Sequence, residues 1–98
     1  MLVMLAYDVP EQRHQNFLRK EFERMGGARV QYSLYLFNGE PHECERVIRY
    51  MQRVAKGIPG DIRLLPMEEC TWAAQIIIAE VVENSRRIAE LKEFVKVW

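Results

Sequence analysis

Asp8 is the residue of this 98-residue chain best placed to do chemistry. It closes the apolar stretch Met1–Tyr7 (MLVMLAY), and Val9-Pro10-Glu11 follows it. A carboxylate where a buried strand leaves its sheet is a natural metal ligand or catalytic acid. One carboxylate alone makes a sparse magnesium site, because that ion is held by one or two carboxylates together with substrate phosphates and waters. A twofold dimer would supply the second as the same residue of the other chain. The competing reading is structural. Asp8, Pro10 and Glu11 lie close to the pattern of a capping box with a proline at the start of a helix. On sequence chemistry alone the capping reading is the stronger, and the same position allows both roles.

No other constellation competes with Asp8. His14 and His42 do not stand at metal-ligand spacing with cysteines. No serine sits in a nucleophile elbow, and Gly26-Gly27 reads as a helix stop rather than a phosphate loop. Cys44 and Cys70 form no CxxC pair, so each is expected to fill a small buried space. The arginines carry more information. Arg46, Arg49, Arg53 and Lys56 recur at spacings of three and four, which places them on one helical stripe. Arg13, Arg19, Lys20 and Arg24 add basic charge to the preceding helix, and Arg29 follows it. Glu21, Glu23, Glu43 and Glu45 dilute both groups. A solvated helix face and a track for nucleic-acid phosphates are both open readings of this pattern. Tyr32, Tyr35 and Phe37 could stack on bases, but the aromatic motif of RNA-recognition sheets is absent. Tyr35 and Phe37 share a strand face, which favours core packing.

The elements that would position these residues follow from hydrophobic period. Met1–Tyr7 reads as a buried strand bounded by Asp8-Val9-Pro10. Glu11–Met25 has helical period, with Phe17, Leu18, Phe22 and Met25 on one side. Ala28–Phe37 is rich in β-branched and aromatic residues and ends at Asn38-Gly39. It is either one bent strand or two short ones with a turn near Gln31–Ser33. A second helix runs from Glu40 to about Lys56, with Cys44, Val47, Ile48, Met51, Val54 and Ala55 as its apolar face. Asp61–Met67 fits an edge strand because Pro66 lacks a donor. Gln75–Val82 reads as a further strand, and a short amphipathic helix carrying Ile88, Leu91, Val95 and Trp98 is expected after Asn84. The order implies an α+β, ferredoxin-like split βαβ sandwich with an extra C-terminal strand and a short C-terminal helix. Residues 1–67 form its core. Residues 68–98 form an extension that contacts a second protomer or another partner.

Hydrophobic residues make up 49% and charged residues 29%, an ordinary composition for one globular domain. The formal net charge is zero, so overall charge argues for no acidic partner. No apolar run approaches the roughly 20 residues of a membrane span, and the first strand lacks the basic leader of a signal peptide. A reducing cytoplasm is the simplest location.

Three segments together carry a resemblance. LAYDVP is a first strand ending in an aspartate; GGARVQYSLYLFNGE holds a glycine, then Val-Gln-x-Ser, then an apolar-aromatic strand; and GDIRLLPM is an aspartate-led strand. In this order and spacing, over residues 1–67, they resemble the small CRISPR-associated Cas2 family. The family's usual Ser-Val-Phe is Ser33-Leu34-Tyr35 here. The resemblance implies a ferredoxin-like homodimer in which Asp8 matches the metal-binding aspartate and faces its twin across the dimer axis. It implies phosphodiester cleavage with Mg2+ or another divalent metal, on single-stranded RNA or on duplex DNA. It also implies a scaffold that bridges the spacer integrase and holds a double-stranded DNA prespacer. Arg13, Arg19, Lys20, Arg46, Arg49, Arg53 and Lys56 are the candidate nucleic-acid contacts. The alternative is a toxin-type RNase or a small-ligand module on the same fold, outside CRISPR.

Overall fold

A computed structural model describes residues 1–78. Its elements are β1 (Leu2–Asp8), α1 (Gln12–Arg24), β2 (Ala28–Gln31), β3 (Leu34–Asn38), α2 (Pro41–Val54), β4 (Asp61–Met67) and α3 (Glu69–Ala73). The four strands form one antiparallel sheet in the order β2-β3-β1-β4. The two strands joined through α1, β1 and β2, are therefore separated by β3, as the split βαβ reading requires. Ala28–Phe37 is two strands, turning at Tyr32-Ser33, where Ser33 takes a positive φ of 65°. A bulge between Arg29 and Gln31 shifts the β2–β3 register by one residue.

Apolar β1 occupies a central position because both its faces are covered. Val3, Leu5 and Tyr7 point toward the helices, where Val3 and Leu5 pack with Leu18, Phe22, Tyr35, Val47 and Met51 in the main core. Leu2 and Met4 point the other way. Leu2 joins fully buried Leu36 in a second cluster, against which Met4, Val30, Met67 and Trp72 pack. Trp72 belongs to α3, so this short helix covers one end of the sheet's second face. The N-terminal ammonium of Met1 lies 2.5 Å from the Glu69 carboxylate, tying α3 to the start of β1.

Both long helices end as their sequences dictate. Gly26 follows the last turn of α1 with a φ of 106°, a conformation cheap only for glycine. The Gly27 amide returns to the Phe22 carbonyl at 3.0 Å and the Gly26 amide to Glu23 at 2.9 Å, closing a Schellman turn. At α2, Pro41 sits in the first turn and Glu40 forms a reciprocal capping box with Glu43, whose carboxylate accepts the Glu40 amide at 2.8 Å. The buried face of α2 is Cys44, Val47 and Met51, as its period predicts. In α1, Leu18 and Phe22 are buried, while Phe17 lies partly in solvent.

Two expectations change. Cys44 is buried, but Cys70 is exposed on α3, a helix too short to leave a periodic signal. Gln75–Ile78 forms no strand within the described residues, and the rest of the expected strand lies outside them. The helix expected after Asn84 also lies outside the described residues.

Hydrophobic burial holds the fold together more than charge does. Each core side chain contributes about 1.5–3 kcal/mol on burial, whereas exposed ion pairs such as Arg13–Glu11 or Arg19–Glu23 contribute roughly 0–1 kcal/mol. One close approach is an exception to this division. Gly60 enters β4 with a φ of 131°, and a Cβ there would stand 2.7 Å from the Asp8 carbonyl oxygen and 3.0 Å from the Val9 Cα. Both neighbours are backbone, so neither can rotate away. Gly60→Ala is expected to destabilise the chain by about 2 kcal/mol or more. That lowers the thermal midpoint by on the order of 10 °C for a domain of this size, as measured by circular dichroism. Gly57 also has a positive φ but has nothing near its Cβ position, so Gly57→Ala should cost less.

Candidate functional site

Asp8 is the last residue of β1 and is exposed. Strand alternation puts it on the face of Leu2, Met4 and Ala6, away from α1 and α2. It does not cap α1. The helix begins at Gln12, its N-cap is Glu11, and no side chain bonds the cap amides. The reason is that β1 runs on through Asp8, paired with β4 to its last residue. Buried Val9 and exposed Pro10 then separate the strand from the helix. The Val9 carbonyl accepts a 2.7 Å hydrogen bond from the Gln15 side chain, which fixes the crossing. The Glu11 carboxylate pairs with Arg13 at 2.6 Å.

The register brings Asp61 directly opposite Asp8. The segment beginning at Asp61 stands out in the sequence, but its pairing partner does not. Like charges opposite each other across a ladder are unfavourable. Here Arg63 relieves the conflict by gripping both oxygens of Asp61, at 2.8 and 3.0 Å. This bidentate contact holds the Asp61 carboxyl below its ordinary pKa. Among the described residues no side chain pairs with Asp8. The local arrangement is one neutralised carboxylate beside one available carboxylate. No group of three or more His, Cys, Asp or Glu gathers at metal-binding distance among the described residues. Asp8 fits magnesium as a single ligand whose remaining positions would be filled by water, phosphate or a second protomer.

The basic residues divide by what already neutralises them. Arg13 pairs with Glu11, Arg19 with Glu23 at 3.1 Å, Arg24 with Glu21 at 2.9 Å and Arg49 with Glu45 at 2.5 Å. Lys20, Arg46, Arg53 and Lys56 are exposed and have no carboxylate partner among the described residues. Three of these four belong to α2 or the turn just after it. Arg46, Arg49 and Arg53 border a cleft of about 510 Å³ that reaches Met25 at the end of α1 and His42 at the start of α2. Tyr50 organises the cleft. Its hydroxyl donates to Glu21 and accepts from Arg24, and the Arg24 and Arg53 guanidiniums lie 5.2 and 5.4 Å from its ring centre. The hydrogen bond from Arg24 is the main cause that keeps the Glu21 carboxyl below its usual pKa. Asp8 lies on the opposite face of the sheet from this cleft.

Of the aromatic candidates, Tyr35 and Phe37 are core residues, and Tyr35 meets Phe22 edge-on at 6.3 Å. Tyr32 is exposed at the hairpin turn under the Arg29 guanidinium, 5.0 Å from the ring centre. No described helix is long and apolar enough to cross a membrane.

The fold and its site define a small ferredoxin-like protein with an available carboxylate at the end of its central strand and an arginine-rich helix on its other side. Residues 1–75 match the family described as CRISPR associated protein Cas2, and the chain belongs to that family. No curated protein matches the chain. Its role is therefore CRISPR-associated.

Proposed function

We propose that the chain is an adaptation protein of its CRISPR system: a homodimer that bridges the spacer integrase, holds duplex DNA by its backbone and cleaves phosphodiesters through Asp8. The observation that carries this reading is the position of Asp8, available for a metal and on the sheet face away from α1 and α2, at the opposite end of β1 from α3. On that face Met4, Ala6, Val30 and Leu34 are only partly buried and Leu65 is exposed. An apolar sheet face of this kind is buried by packing on a second sheet. A twofold arrangement of two such faces puts Asp8 of each chain on the shared side. Magnesium or another divalent ion held there would supply an activated water and a counter-charge for a phosphoryl oxygen. The chain's own part is to present the carboxylate at the end of a rigid strand, with the ionised Asp61 paired to Arg63. No histidine or free acid stands beside Asp8 as a general base among the described residues, so cleavage would be slow. Single-stranded RNA is the alternative substrate for the same chemistry.

Asp8→Asn keeps the size of the side chain and removes the charge a metal needs. The variant should fold with the wild-type far-ultraviolet spectrum and lose magnesium-dependent cleavage of labelled RNA and duplex DNA. Wild-type cleavage by a folded Asp8→Asn protein would refute the catalytic role.

Nucleic acid would lie along α2, where Arg46, Arg53 and Lys56 have no carboxylate partner among the described residues, with Arg13, Arg19 and Lys20 as further contacts. Phosphate contacts fix position without reading sequence. Changing Arg46, Arg49 and Arg53 together to Gln should weaken binding of unrelated duplexes alike. The slope of log K against log salt should flatten by about 2–3 units. Unchanged affinity and slope in a gel-shift titration would move the contact surface to α1.

The domain division follows from the same reading, with residues 1–67 as the core and residues 68–98 contacting the second protomer or the integrase. Ile76 and Ile78 are 86% and 96% exposed, more than isolated isoleucines in solvent warrant. β4 is an edge strand flanked by an apolar groove of about 500 Å³ that includes Ile48, Met51, Ile58, Ile62 and Leu64. An apolar segment such as Gln75–Val82 from a second copy would satisfy that edge. Removing residues 73–98 should give monomer or aggregate by light scattering, whereas removing 84–98 should leave the dimer. A stable dimer after the larger deletion would assign association to the sheet faces alone.

A further inference from the structure

A third, smaller cavity of about 110 Å³ lies where the first turns of α1 face the β2–β3 hairpin. It is on the helix side of β1, whereas Asp8 is on the other side. Two guanidiniums line it, Arg19 and Arg29, and no carboxylate does. Arg19 already spends one nitrogen on Glu23, which lies outside the lining. Arg29 is held differently. Its guanidinium lies against the Tyr32 ring, and Tyr32 is itself fixed by a 3.2 Å hydrogen bond from its hydroxyl to Gln15. Gln15 is fixed in turn on the Val9 carbonyl. The Arg29 Nε is buried and has no hydrogen-bond partner among the described residues. Buried donors are rarely left in that state, and an ordered water or a bound ion is one way they are completed.

The far wall is made by the tyrosines Tyr7 and Tyr35, whose rings stack 6.1 Å apart. Burial, helped by the hydrogen bond to Tyr7, pushes the Tyr35 hydroxyl well above the usual tyrosine pKa. It stays protonated and brings no negative charge to the cavity. The lining is thus rich in donors and carries the uncompensated charge of Arg29, with Arg19 already paired to Glu23, an environment for an anion. Its size narrows the choice. Pockets that hold drug-sized ligands measure roughly 300–1,000 Å³, so about 110 Å³ excludes a base with its sugar and leaves room for one tetrahedral oxyanion.

We propose that the cavity between α1 and the β2–β3 hairpin binds a terminal phosphate monoester of a nucleic-acid strand, with Arg29 as its principal ligand. A monoester enters such a cavity with one substituent pointing out, whereas an internal diester would need two exits. The proposal deepens the nucleic-acid reading above, yet its test involves neither Asp8, a metal nor the α2 arginines.

The test is a titration without divalent ions. Inorganic phosphate is followed by 31P line broadening, and a 5′-phosphorylated dinucleotide is compared with its 5′-hydroxyl counterpart by calorimetry. Wild-type protein should broaden the phosphate resonance and bind the 5′-phosphorylated dinucleotide at least about tenfold more tightly than the 5′-hydroxyl form, the effect of one charge-assisted contact. Arg29→Gln should abolish that preference, Arg29→Lys should restore part of it, and Tyr7→Phe should reduce it, each with a wild-type circular-dichroism spectrum. Equal binding of the two dinucleotides would overturn the proposal, as would a preference that survives Arg29→Gln. If Arg29→Gln fails to fold, Arg29→Lys and Tyr7→Phe decide the matter by the same comparison. Failure here leaves the salt dependence of duplex binding along α2 untouched, so the two readings fall separately.

Discussion

The molecule depends on the pairing of β1 along both of its edges. The ladder with β4 runs the whole strand, from Leu2 opposite Met67 to Asp8 opposite Asp61, and the ladder with β3 runs from Leu2 opposite Asn38 to Ala6 opposite Leu34. The two apolar clusters lie on opposite faces of this one strand. Loosening β1 would therefore open both cores together, while no exposed ion pair has comparable reach. At the end of the strand the chain is held by backbone as well as side chains. The Tyr7 amide donates to the Ser33 carbonyl at 3.2 Å, and Gly60 admits the Asp8 carbonyl where any Cβ would collide. Asp8 is delivered to a fixed place because the strand carrying it is the most constrained in the fold.

The same pairing divides labour between successive residues. Side chains of a strand alternate, so Tyr7 faces the helices and the Arg29 cavity while Asp8 faces the side of the sheet away from α1 and α2. A slip of one residue would exchange them, placing a carboxylate among the donors and a phenol where Asp8 stands. The core forbids the slip, since it would also drive Val3 and Leu5 out of the main cluster. Core packing and site geometry are thus one specification written on one strand. Neither could drift without the other.

This also explains what the sequence revealed and what it withheld. β1, α1 and α2 were legible because unbroken or periodic apolar residues encode burial locally. The edge character of β4 was legible from Pro66, which stands in the ladder opposite Val3. The opposition of Asp8 and Asp61 was not legible, because register between strands more than fifty residues apart is set by the whole sheet. The capping pattern at Asp8 misled for a related reason. Local chemistry allowed a cap, but ladder pairing kept Asp8 in the strand and left Glu11 at the helix start. Cys70 was misjudged because the five-residue α3 is specified by Trp72 on Leu2 and Leu36, not by period. Arg29 looked like one more basic residue. Its burial depends on the hairpin bulge and on Tyr32, both tertiary features.

A chain with no net charge can still present a basic surface, because its acids are unevenly distributed among its bases. On α1 and β4, glutamates and aspartates stand within reach of Arg13, Arg19, Arg24 and Arg63, and each of these arginines has a carboxylate. On α2 the acids cluster in the first turns. Glu40 and Glu43 are engaged in the capping box and Glu45 holds Arg49. The later turns, carrying Arg53 and leading to Lys56, have no acid to answer them, so the helix itself sorts the charge. Acids at its start complement the positive end of its dipole, and bases toward its end complement the negative one. The arrangement that stabilises α2 as a helix is therefore also the one that leaves cations facing outward. Neutrality of the whole and an excess of cations on one face have a common origin.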